Sequence, residues 1–153
     1  MTFLITGNES EFVVRLLLCL AAGVAIGIER EYRGKSAGIS THSFVIAGAM
    51  LFSYLSLVFD PLSPARIAAQ VVTGVGFLGA GIILRGNDGK VKNLTTAASI
   101  WFSAALGMTI GFGWYLIALL SIAYAVLIPF IPQIKQRKKD LNNGEKSNEE
   151  NGN

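Results

Sequence analysis

The sequence predicts an all-α fold, a polytopic membrane protein built as a bundle of five transmembrane helices with no second domain. Three observations carry this expectation. Charged residues make up 15% of the 153-residue chain and hydrophobic residues 52%, with a mean hydropathy of +0.50, whereas soluble domains carry roughly 25% charge. The charges are also unevenly placed. Only Arg66 lies between Asp60 and Arg85, and no charge lies between Lys92 and Lys135, a gap with room for two crossings of about 20 residues each. Finally, Thr95, Ser99, Ser103, Gly107 and Gly111 recur at intervals of four and read as one helix face with little side-chain bulk. In lipid, such stripes let backbones approach closely, so the hairpin from Arg66 to Gly111 is expected to be the packing core.

Five apolar segments can be drawn, at 12–29, 43–59, 65–85, 95–112 and 114–132. Each is near the length that a hydrocarbon layer of ~30 Å requires. In the first, Glu11 and Arg15 stand one turn apart, the spacing of an ion pair, and Glu29 follows eighteen residues after Glu11. That separation is five full turns, so the two carboxylates share an azimuth ~27 Å apart along the axis. They mark a face with Arg15, Cys19 and Ala22 between them, while Gly23 and Gly27 mark the opposite face as a helix contact. Arg15 is a functional candidate, because intramembrane charges are costly and usually point into a bundle. Cys19, the single cysteine, cannot form an intramolecular disulfide and reads as a small buried hydrophobe. The acidic start, Glu9 and Glu11, argues against a cleaved signal peptide or lipoprotein anchor.

Asp60-Pro61-Leu62-Ser63-Pro64 breaks the chain after the second segment. The third opens with Arg66, Gln70 and Gly74 one turn apart, a polar start leading into a glycine groove that continues through Gly76, Gly79 and Gly81. Arg66 either anchors at headgroups or meets Glu11 or Asp60 across that end of the bundle. Gly86-Asn87-Asp88-Gly89 and Gly111-Phe112-Gly113 supply the next two turns. Residues 1–132 form the transmembrane domain, and 133–153, an Asn-rich run of mixed charge, read as a disordered cytoplasmic tail.

Basic residues set the expected orientation. Arg30, Arg33 and Lys35, then Arg85, Lys90 and Lys92, then Lys135, Arg137, Lys138 and Lys139 all fall on one side, against Arg66 on the other. The positive-inside rule therefore predicts an outside N-terminus and a cytoplasmic C-terminus, with Trp114 and Tyr115 in an interfacial belt. The same placement explains the net charge of +3 without a nucleic-acid partner, since no basic face exists outside the loops and tail. Gly74-Val75-Gly76-Phe77-Leu78-Gly79 matches G-x-G-x-x-G but lies inside a membrane segment with Ser99 where an acidic residue belongs, so a nucleotide site is set aside. His42 stands alone, without the Cys and His cluster of a zinc site. No cofactor, metal or catalytic nucleophile is expected, and the chain is read as non-enzymatic.

The runs GIERE at 27–31, AGISTH at 37–42, RIAAQVVTGVGFLGAGIILR at 66–85 and NLTTAASIWFSAALGMTIG at 93–111 resemble the MgtC/SapB family of bacterial inner-membrane proteins. The resemblance covers roughly residues 10–130. It implies a five-helix membrane domain associated with magnesium homeostasis, with survival under low magnesium and, in some members, with virulence inside host cells. Some members act by contacting the membrane sector of ATP synthase and restraining it. Carried over by motif, the positions of interest are Glu29, Arg30, Glu31, Thr41, His42, Arg66, Gln70, Gly79, Gly81 and the Leu94-Thr95-Thr96-Ala97-Ala98 run. Ser40 stands where the family pattern often has arginine, and Asn93 where it usually has glycine. The soluble C-terminal domain of longer members has no counterpart here, so the chain resembles the core-only members.

Two functions are expected to compete. The first is a regulatory bundle whose face from Glu29 to His42 and from Arg85 to Asn93 engages a membrane-protein partner, anionic headgroups or a second copy. The second is an ion pathway entered past Glu11, Arg15, Arg66 and Gln70. Magnesium prefers carboxylate and water oxygens, and Arg15 stands ready to neutralise Glu11, which ranks conduction second.

Overall fold

The computed structural model describes residues 9–85 and 91–131. The tail at 133–153, Lys90 and the Gly86 to Gly89 turn lie outside the described residues. Five helices form in the expected order: α1 (Glu9–Tyr32), α2 (Ile39–Phe59), α3 (Ala65–Ile82), α4 (Leu94–Gly111) and α5 (Tyr115–Leu127). The first four are long and apolar enough to cross a membrane. α5 is shorter than the fifth apolar segment suggests, giving way to a 3₁₀ turn at Ile128–Phe130. Pro129 accounts for the break, because it has no N–H to continue the helical ladder. A second departure is a small antiparallel ribbon, β1 (Leu84–Arg85) and β2 (Val91–Lys92), where a plain polar loop was expected.

The packing core is not the α3–α4 hairpin. α2 lies at the centre, packed most extensively against α1 on one side and α4 on the other. Two glycine pairs make that approach possible. On α1, a Cβ at Gly23 or Gly27 would overlap Ser43 or Ile39 of α2; on α4, a Cβ at Gly107 would overlap the Ile46 carbonyl. At Gly111 the Cβ would come within 2.7 Å of the Met50 carbonyl oxygen and the Ser53 Cβ. Each pair is four residues apart, so each removes bulk from one strip of helix, and van der Waals contact between backbones replaces it.

The α4 stripe is shorter than its spacing suggests. Ser103, Gly107 and Gly111 are buried, whereas Ser99 is half-buried and Thr95 exposed. Residues four apart on a helix advance by about 40° per step, so the five positions wind through nearly half the circumference. The α1 faces also need correction. Arg15, Cys19, Ala22, Gly23, Ile26, Gly27 and Arg30 are all buried, forming one broad arc rather than two opposite faces.

α3 is peripheral. A Cβ at Gly79 would lie 3.8 Å from Ala97 of α4, an ordinary contact, but Gly74, Gly76 and Gly81 have open space where a side chain would stand, so among the described residues they pack against no helix. Two apolar clusters fill the interior. Cys19, Ile26, Ile46, Met50, Leu106 and Ile110 join α1, α2 and α4, while Ala49, Val71, Val75, Ile100 and Ala104 join α2, α3 and α4. Outside, Leu17, Leu20, Phe44, Phe52, Phe77, Leu116 and Leu120 are exposed. A surface this apolar belongs in contact with lipid tails.

Candidate functional site

In lipid, a buried polar group has no water to turn to, so each one inside the bundle needs a partner from the protein. The described residues place Arg15, Arg30, His42, Ser53, Ser56, Thr96 and Ser103 in the interior. Most of them lie along the seam where α1, α2 and α4 meet.

At the end carrying the α1–α2 loop, called here the basic end, Arg30 is 4% exposed. Its Nη2 donates to Thr96 Oγ1 at 2.6 Å, and its Nε has no hydrogen-bond partner. Glu29 does not pair with it. That carboxylate forms an ion pair with Arg33 one turn later, at 3.1 Å. Glu31 instead accepts from the Ile39 backbone N–H at 2.9 Å, capping α2, whose own cap residue, Gly38, has no side chain to do so. A Cβ on Gly38 would collide with Glu31. The GIERE and AGISTH runs thus close the α1–α2 turn on each other.

Deeper in, His42 is fully buried and its Nδ1 lies 2.8 Å from Ser103 Oγ on α4. Its Nε2 has no partner, and neither do the buried hydroxyls of Ser43, next to it in the chain, and of Ser53, about three turns further along α2. Thr41, beside it in the chain, is half-buried. A His42→Ala and Ser103→Ala double-mutant cycle on the purified chain should show a coupling of about 0.6 kcal/mol, the average for interhelical hydrogen bonds in lipid. Additive effects would mean that the pair does not hold α2 to α4.

At the other end, Arg15 is 6% exposed. It donates to the Gly111 carbonyl of α4, pairs with Glu11 at 2.5 Å, and lies 4.9 Å from the centre of the Tyr54 ring. The Glu11–Arg15 spacing therefore makes the pair that the sequence suggests, and the hydrogen bond to Gly111 carries it on to α4. Arg66 is exposed, and no ion pair joins it to Glu11 or Asp60. Gln70 is exposed as well and lines a groove between α2 and α3.

Asn93 opens α4 in the left-handed region, at φ 62°. Glycine takes this conformation freely and asparagine tolerates it better than most residues, which explains why Asn can stand where the resemblance expects Gly. Its side chain donates to the Ile82 carbonyl at 3.3 Å, tying α4 to the end of α3. Sequence reasoning missed Ser103 as the partner of His42 and Thr96 as the partner of Arg30. An isolated polar residue in each apolar segment was the available signal, but pairings across 61 and 66 residues need the helix register.

Four apolar helices of spanning length, polar side chains turned inward and bulky apolar ones outward, define a multi-pass membrane protein. The chain belongs to the MgtC family, whose model matches residues 16–137. It is 47% identical over 128 residues to the Escherichia coli (strain K12) protein named "Putative magnesium transporter YhiD", a match covering 78% of this chain and 59% of that protein. It is 44% identical over 104 residues to Protein MgtC of Salmonella typhimurium, covering 68% of this chain and 45% of that protein. The chain therefore spans about half the length of the curated relatives it matches. No solved structure matches it.

Proposed function

We propose that this chain is a non-enzymatic protein of the bacterial inner membrane, linked to magnesium homeostasis and stress adaptation or virulence, that acts by docking against another membrane protein. The open glycine face of α3 carries this reading. Gly74 and Gly81, seven residues apart and so on one side of the helix, meet nothing among the described residues, and beside Gly74 runs an apolar groove of about 550 Å³ between α2 and α3. A small-residue groove is the surface that a second transmembrane helix packs into. The membrane sector of ATP synthase, a partner of some members of the family the sequence resembles, is the first candidate to test, and a second copy is the next. The concentration of Lys and Arg in one set of loops supports an outside N-terminus and a cytoplasmic C-terminus.

The test separates folding from docking. Gly74→Leu fills open space, so the protein should accumulate in the membrane at the wild-type level. It should nevertheless fail to restore growth of a deletion strain in low magnesium. Full restoration by both Gly74→Leu and Gly81→Leu would sink the docking reading.

The name of the Escherichia coli relative supports a second reading, magnesium transport. Against it, among the described residues the charged side chains buried in the seam, Arg15 and Arg30, are both cationic and repel a divalent cation. Magnesium flux in proteoliposomes that is lost in Glu11→Gln would reverse this ranking.

A further inference from the structure

Among the described residues, Arg30 is a buried cation with few partners. It is a buried guanidinium with Thr96 as its hydrogen-bond partner and an Nε that has none. Of its two acidic neighbours in the chain, Glu29 pairs with Arg33 and Glu31 accepts from the Ile39 backbone N–H. Arg30 also reaches across to the first turn of α4, the end of a helix where cations are unfavourable. The cap residue there, Asn93, makes no side-chain capping bond, and the first turn leaves backbone N–H groups without helical partners, giving it a partial positive charge. Two electropositive groups therefore face the same space.

That space is a cavity of about 220 Å³ between α1, α4 and α5. Arg30, Glu29, Thr95 and Ser99 form its polar part, and Ile26, Phe102 and Tyr124 belong to its apolar wall. The Glu29 carboxylate opposes an anion there, but its charge is shared between Arg30 and Arg33, so one carboxylate faces two guanidiniums and the cavity mouth keeps a net positive charge. A ligand that fits must be anionic at one end and hydrocarbon at the other.

We infer that this cavity binds one anionic phospholipid from the leaflet at the basic end, its phosphate between Arg30 and the first turn of α4, its acyl chain along Phe102 and Tyr124. The site goes beyond the docking face on α3, which lies elsewhere on the bundle. It also gives the Leu-Thr-Thr run a task, because Thr95 is exposed and lines the cavity.

Native mass spectrometry of the full chain, released from detergent with phosphatidylglycerol or phosphatidylcholine of equal chain length, tests the inference. One phosphatidylglycerol should be retained at least tenfold more tightly than phosphatidylcholine. Arg30→Gln should bring the two lipids within about twofold. Ala98→Phe places a ring in the cavity without touching the Arg30–Thr96 bond and should abolish retention of both. If Arg30→Gln does not fold, Ala98→Phe decides. Equal retention of the two lipids by the wild type, or tight phosphatidylglycerol binding that survives Ala98→Phe, would overturn the site. Inorganic phosphate that displaces phosphatidylglycerol at millimolar concentration would overturn the lipid assignment in favour of a free-phosphate site.

Discussion

Gly107→Leu is expected to prevent the bundle from forming. The first carbon of any side chain at this position would overlap the Ile46 carbonyl, and its next neighbour, the Ala49 Cβ at 2.9 Å, offers no relief. The obstruction is backbone, so no rotamer change removes it; α2 and α4 must separate. Gly107→Ala already forces that shift and should cost about 1–3 kcal/mol, the range for overpacking a close-packed interior. Leucine adds three more carbons to the same gap. Unfolding of the purified chain in rising dodecyl sulfate measures both. Wild-type midpoints for both variants would show that α2 and α4 do not meet at Gly107. The companion change Gly74→Leu should leave the midpoint unmoved, because nothing stands within 4 Å of that position.

The second large effect should come from Arg15→Leu. Arginine is removed from the Gly111 carbonyl, from Glu11 and from the Tyr54 ring at once. The carbonyl lies at the last turn of α4, where helical partners run out, and burial leaves it no water. An unsatisfied buried acceptor costs about 1–3 kcal/mol. Arg15→Lys should recover little, since an ammonium cannot reproduce the planar fork. Glu11→Gln should cost far less, about 1 kcal/mol at most, because the side chain is half exposed and its ion pair is screened. The same unfolding assay should thus rank Arg15→Leu well above Glu11→Gln. Equal losses would place the stabilisation in the ion pair and not in the link to α4.

Much of the architecture was legible in the chain, and the reasons are local. Five apolar stretches give five helices because hydrophobic length is read directly from neighbouring residues. Their ends agree with the observed helices to within a few residues over α1 to α4. Glu11 with Arg15, and Gly23 with Gly27, could be paired because one helix fixes their spacing. Which helix occupies the centre could not be read. α2 has no glycine pair of its own in the seam; it is approached by glycines on α1 and α4, a property of the neighbours' surfaces. The α3 glycines show the converse. Small residues state that something could come close, not what, and Gly74, Gly76 and Gly81 look the same in sequence as Gly107 and Gly111.

The polar seam has a consequence for how the protein is made. Arg15 and Arg30 on α1 and His42 on α2 take their cross-helix hydrogen-bond partners from Gly111, Thr96 and Ser103. All three partners belong to α4, the fourth helix to emerge from the ribosome, and domains are assembled as the chain is synthesised. Until residue 111 has been translated, the α1–α2 pair holds three polar groups that its own two helices do not satisfy across the seam. The nascent bundle therefore stays incomplete through the insertion of α3, which supplies none of those partners, and locks when α4 arrives.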